Sequence, residues 1–139
     1  MQAKRGLCSN LGEDLIMEIV KPDFVVGDEK RFYDFIKRIN KNDKVAVISH
    51  TDLDGIASAK IVDKVIKADL IKFIDYVDLN DSLASELKKV NIKKIILNDI
   101  MISDAGLIKK MENFAEILII DHHPFEKDFA GRIQPFLFF

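Results

Sequence analysis

Three short apolar runs, each ending on acidic or histidine residues, most constrain what this chain can fold into. Val45, Ala46, Val47 and Ile48 run into Ser49, His50, Thr51, Asp52, Leu53, Asp54 and Gly55. Ile95, Ile96 and Leu97 run into Asn98 and Asp99, and Ile117, Leu118, Ile119 and Ile120 run into Asp121, His122, His123 and Pro124. Runs this continuously apolar are expected of parallel strands covered by helices on both faces. In an open α/β sheet the carboxyl ends of neighbouring strands face one crevice, so residues distant in sequence converge there. The convergence would be a nest of carboxylates and imidazoles, which repels itself unless cations fill it. A metal site is the expectation.

The segments between the runs carry helical patterns. Over residues 29–40 the apolar residues Phe32, Phe35, Ile36 and Ile39 recur at helical spacing. A strand is expected over residues 45–49, then a helix over 55–67 with a broad buried face of Ile56, Ala59, Ile61, Val62, Val65 and Ile66. Residues 70–77 are rich enough in β-branched and aromatic side chains for a strand. A helix capped by Asp81 or Ser82 runs to about residue 90, strand covers 94–97, a helix capped by Ser103 covers 103–113, and strand covers 116–120. Strict alternation predicts βαβ units: an α/β fold, a parallel sheet with helices on both faces. Residues 1–27 read as an N-terminal extension, with Leu15 to Val20 a short helix or strand and Pro22 and Gly27 marking a connecting loop.

With 139 residues, 48% hydrophobic and 32% charged, the chain has material for one soluble domain and not comfortably for two. A net charge of -2 provides no global basic field for nucleic acid, so any basic groove must be local. Cys8 is the single cysteine, which precludes an intramolecular disulfide and a cysteine zinc site and agrees with a reducing cytoplasm. Lys4 and Arg5 are followed by Glu13 and Asp14 before any long apolar stretch, so neither a signal peptide nor a membrane span is expected.

The stretches VAVISHTDLDGIASA, ILND and ILIIDHHP, in that order and each behind a predicted strand, resemble the first three motifs of the DHH phosphoesterase superfamily. That superfamily includes RecJ-type single-strand nucleases, phosphodiesterases of small oligonucleotides and cyclic dinucleotides, and family II inorganic pyrophosphatases. The HxDxDG form is most similar to the archaeal RecJ-like branch. The resemblance covers residues 44–124 and implies that residues 28–139 are a partial, Rossmann-like DHH domain. It implies two Mn2+ (or Mg2+) ions and a substrate that is single-stranded nucleic acid or a nucleotide phosphoester. Relatives continue to another strand-end aspartate that completes the second metal site, and many add a small domain that clamps substrate. On this resemblance the chain ends early at Phe139. A truncated product, a fragment, or a divided gene whose partner chain supplies the C-terminal portion would each account for that, and the isolated chain is expected to bind metal but turn over poorly.

Two divalent ions about 3.5–4 Å apart need a shared carboxylate, and can then activate a water and stabilise charge on a phosphoryl group. Within the resemblance, Asp99 is the bridge, His50 and Asp52 complete much of one site, and Asp54 and His122 belong to the other. Asp121 either coordinates or orients a histidine, and His123 contacts the scissile phosphate. His50, Asp52 and Asp54 stand two apart, a spacing suited to an extended segment or a turn at a strand end, since residues two apart project to the same side.

Each residue alone has a structural competitor. Asp52 or Asp54 can be a helix cap, Asn98 and Asp99 a turn, and a histidine pair before proline a surface turn. Lys88, Lys89, Lys93 and Lys94 form a basic cluster better read as a solvated helix end than as a phosphate contact. Phe32 and Phe35 are better read as packing on the sheet than, with Tyr33, as a platform for bases. Two further functional classes stay open: a HAD-type phosphatase, whose DxDG start Asp52 to Gly55 imitates but with Ile56 where threonine is usual, and a non-catalytic DHH-like scaffold.

Overall fold

The computed structural model describes residues 29–121. The expectations for the N-terminal extension, for His122 and His123, and for the apolar stretch Pro135 to Phe139 lie outside the described residues. In chain order the elements are α1 (Glu29–Lys37), β1 (Lys44–His50), α2 (Leu53–Ile66), β2 (Leu70–Ile74), a 3-10 turn (Tyr76–Asp78), α3 (Asp81–Lys89), β3 (Ile92–Asn98), α4 (Ala105–Glu112) and β4 (Glu116–Ile120). The four strands form one sheet in the order β2-β1-β3-β4, and every neighbouring pair is parallel. The α/β expectation is borne out.

The apolar runs are continuous because alternate side chains serve two cores. Ala46 and Ile48 of β1 join Ile95 and Leu97 of β3 against Leu83 and Leu87 of α3 and Leu107, Ile108 and Met111 of α4. Val45 and Val47 join Ile96, Leu118 and Ile120 against Phe35 of α1 and Ala59 and Val62 of α2. Two helices therefore cover each face. Phe32 packs against the second core and Phe35 is buried in it, as the helical spacing predicts.

Several local expectations are corrected. The broad buried face of α2 is narrower than its apolar count suggests: Ala59 and Val62 are buried, whereas Ile61 is 66% exposed and Val65 59% exposed. Those two residues line a cavity beside the sheet instead. Strand β2 stops at Ile74, and the following residues Tyr76–Asp78 form a 3-10 turn. The cap of α3 is Asn80, whose side chain accepts from Leu83 N, and the cap of α4 is Asp104, which accepts from Leu107 N. In both places neighbouring residues are all good cap formers, and only the chain's path selects one.

Lys94 is no member of a solvated basic patch. It is buried, lies over the Phe35 ring at 5.6 Å, and pairs with Glu116, which also pairs with Arg38. One carboxylate thereby ties the end of α1 to β3 and β4. Burial pushes the Glu116 carboxyl up, but the hydrogen bonds from Arg38 and Lys94 outweigh it and hold the group below its ordinary value. No helix among the described residues is long and apolar enough to cross a membrane.

Candidate metal centre

The register of the sheet brings the strand ends to one level. His50 is paired with Ile74, Ser49 with Asn98, and Asn98 with Ile120. The residues that follow Ile74, Asn98 and Ile120 are Asp75, Asp99 and Asp121, and β1 itself ends on His50. All four strands thus deliver an aspartate or histidine to the carboxyl edge, where an open parallel sheet binds its ligands. Asp99 and Asp121 are buried there, at 7% and 2% exposure.

The chain leaves β3 sharply. Asp99 has φ 50°, the left-handed region that short polar residues tolerate better than most, and its N–H still donates to Ile120 O at 2.9 Å. That bond extends the ladder to β4 by one rung while the backbone turns away. Beneath it a polar network locks β1, β3 and α2 together. The Asn98 side-chain amide, 1% exposed, donates to Ser58 Oγ at 2.7 Å and to Ser49 Oγ at 3.2 Å. Ser49 Oγ lies 2.9 Å from both Gly55 O and Asn98 O, acceptors between which its one proton is shared. Asn98 therefore makes an internal tie and not the turn considered for it.

Asp52 fulfils the capping reading and also approaches His50. Gly55 N donates to its Oδ1 at 2.8 Å, which fixes the carboxylate at the start of α2. Its Oδ2 lies 3.0 Å from His50 Nδ1. Of the extended segment or turn expected through His50, Asp52 and Asp54, the extended form is corrected: the chain bends after His50, and α2 begins at Leu53 with Asp54 in its first turn. The helix separates the residues into two groups. His50 and Asp52 form one; Asp54, Asp99 and Asp121 line a single cavity of about 500 Å³. Its remaining walls are Phe32, Ser58, Ile61, Val62, Val65, Asn98 and Ile120, so no lysine or arginine is among the described residues that line it.

The field of these carboxylates reaches across the sheet end. The Tyr76 hydroxyl is pushed above its ordinary value first by burial and then by the negative charges of Asp52, Asp99 and Asp121. Among the described residues, no three histidine, cysteine, aspartate or glutamate side chains close into a ready cation cage. The donor chemistry nevertheless fits a hard divalent cation: three carboxylates share one cavity, an imidazole with a fourth carboxylate stands beside them, and no thiolate is present. His122, the next residue after Asp121, lies outside the described residues, as does His123.

Sequence reasoning missed Asp75, Thr51, Tyr76 and the Ser49, Ser58 and Asn98 tie. Asp75 carries the same signal as the others, an apolar strand running into an aspartate, but was hidden by reading the strand on to Val77. The tie has no signal in one sequence, since nothing local says that Ser58 on a helix meets Asn98 on a strand.

A search of curated proteins finds no match to the sequence. Among family descriptions, residues 44–138 match the N-terminal domain of the DHH family. That family comprises phosphoesterases and is in general metal-dependent. The match spans more than half of the chain and takes in every one of these strand ends, and the chain belongs to the DHH family.

Proposed function

We propose that the chain is the metal-binding part of a phosphoester hydrolase acting on single-stranded nucleic acid or short oligonucleotides, in the manner of RecJ-like nucleases. The observation that carries this reading is the shared cavity in which Asp54, Asp99 and Asp121 converge from α2, β3 and β4. Three carboxylates lining one cavity, with no cationic side chain among the described lining residues, favour divalent cations over a neutral ligand.

Asp99 would bridge two ions, with His50 and Asp52 on one side and Asp54 and His122 on the other. Mn2+ suits mixed carboxylate and imidazole donors, and Mg2+ is the alternative. When bound, such ions supply a nucleophilic water at neutral pH and offset charge on the phosphoryl oxygens. The chain's own contribution is to hold the donors. Asp52 is fixed by its cap bond, Asp99 by its backbone bond to β4, and the Asn98 tie keeps β1 and β3 in register beneath them. His123 would meet the scissile phosphate.

The cavity also favours a nucleotide over pyrophosphate. Its acidic floor adjoins an apolar wall of Phe32, Ile61, Val62 and Val65, which suits a base or sugar and offers pyrophosphate nothing. The test is a Mn2+-dependent hydrolysis assay comparing single-stranded DNA, short RNA, a cyclic dinucleotide and pyrophosphate, with the full chain alone and with any partner chain that supplies a further aspartate ligand. Cleavage of the single-stranded substrates ahead of the others is expected. Preference for pyrophosphate would overturn the substrate class, and a phosphorylated Asp52 recovered after acid quench would replace the hydrolytic reading with HAD-type chemistry.

A further inference from the structure

Three residues surround the His50 ring: Asp52 within the DHH-like motifs, and Tyr76 and Asp75 outside them. Its plane lies against the Tyr76 ring, with centroids 4.5 Å apart and planes 5° from parallel. One edge presents Nδ1 to Asp52 Oδ2 at 3.0 Å, and the other presents Nε2 towards Asp75 Oδ1 at 3.8 Å. Asp75 is itself held, because its Oδ1 accepts from Thr51 Oγ1 at 2.9 Å. Tyr76 does not sit on a free loop: Asp78 N donates to Asp75 O at 3.0 Å and Leu79 N to Tyr76 O at 3.3 Å, closing the 3-10 turn that carries it.

We propose that Tyr76 is a positioning residue that presets the His50 imidazole for a divalent cation. The inference rests on the metal reading of His50. A histidine loses rotamer freedom when it becomes a ligand, and a ring already held in plane by a stacked partner has less to lose on binding. Stacking fixes the plane; the buried Nδ1 makes no hydrogen bond among the described residues despite its 3.0 Å approach to Asp52, and Nε2 lies 3.8 Å from Asp75. Stacking uses the ring, so phenylalanine is expected to substitute for tyrosine and an aliphatic residue of similar bulk is not. An aromatic pair of this kind corresponds to about a 2- to 10-fold effect on affinity.

The experiment titrates Mn2+ calorimetrically into the full chain as parent, Tyr76→Phe and Tyr76→Leu, and records the His50 ring protons by NMR in the metal-free proteins. Expected are affinities within about twofold for parent and Tyr76→Phe, about 2- to 10-fold weaker binding by Tyr76→Leu, and an upfield displacement of the His50 ring protons in the first two that is lost in the third. Equal Mn2+ affinity in Tyr76→Leu, or undisplaced ring protons in the parent, overturns the positioning role even if Tyr76→Leu folds poorly, because the second readout needs only the parent. A parent that binds no Mn2+ overturns the metal reading, and the inference with it.

Discussion

A side chain at residue 55 would have nowhere to go, since an added Cβ stands 2.2 Å from the carbonyl oxygen of His50. The turn from β1 into α2 depends on that close approach, and the backbone it would displace carries His50. Gly55→Ala is therefore expected to destabilise the fold by about 1–3 kcal/mol, measured by urea denaturation, and to disturb the His50–Asp52 geometry as well. Asn98→Ala is expected to cost about 1–3 kcal/mol, because Ser49 and Ser58 lose the amide that joins them in a buried site. At this scale the sequence is informative where chemistry announces itself. Asp52, Asp99 and Asp121 are conspicuous as charges ending apolar runs, whereas Asn98 and Tyr76 act through partners that only the folded chain brings to them.

Elements were legible to the extent that one local pattern decides them. The three apolar runs form β1, β3 and β4 because their composition leaves no exposed alternative, while β2 is shorter than its composition predicts because Tyr76 and Val77 are good strand formers placed in a turn by the path to α3. The α2 face was misread for another reason: Ile61 and Val65 lie toward the cavity, and apolarity alone does not distinguish a core neighbour from a cavity wall. The tie of α1 to β4 yields a pH prediction. The Glu116 carboxyl is lower in the folded chain than its ordinary value of 4.5. Its contribution is therefore complete above the unfolded value and is lost as pH falls through the folded one. Glu116→Gln is expected to destabilise at pH 7 by about 1–2 kcal/mol, discounted for the partial exposure of the pair, with Lys94 left buried beside a neutral group. Denaturation in acid should find parent and variant converging as pH falls below the ordinary value of 4.5 and through the lowered folded one. A difference that persists unchanged into acid would mean that packing, not charge, accounts for it.

For the whole molecule, the parallel sheet and its register turn residues distant in sequence into one crevice, and this was the part of the site most fully anticipated. The separation of His50 and Asp52 from Asp54 was expected as well; its cause, the start of α2 at Leu53, and the placing of Asp99 and Asp121 in the Asp54 cavity come only from the folded chain. The central claim is that this crevice binds divalent metal, and thermal melting of the full chain against increasing Mn2+ tests it most directly, with Asp99→Asn as the variant and Glu112→Gln, at the far end of α4, as the control. A cation that binds only the folded state stabilises it by about 2.7 kcal/mol at a hundredfold excess over Kd, which corresponds to a rise of several degrees. Asparagine tolerates the left-handed backbone at residue 99 and relieves repulsion among the carboxylates, so the metal-free variant should melt no lower than the parent. The account predicts a melting temperature that climbs with Mn2+ in the parent and in Glu112→Gln and stays nearly flat in Asp99→Asn; a parent indifferent to Mn2+, or an Asp99→Asn variant stabilised as strongly as the parent, would contradict it.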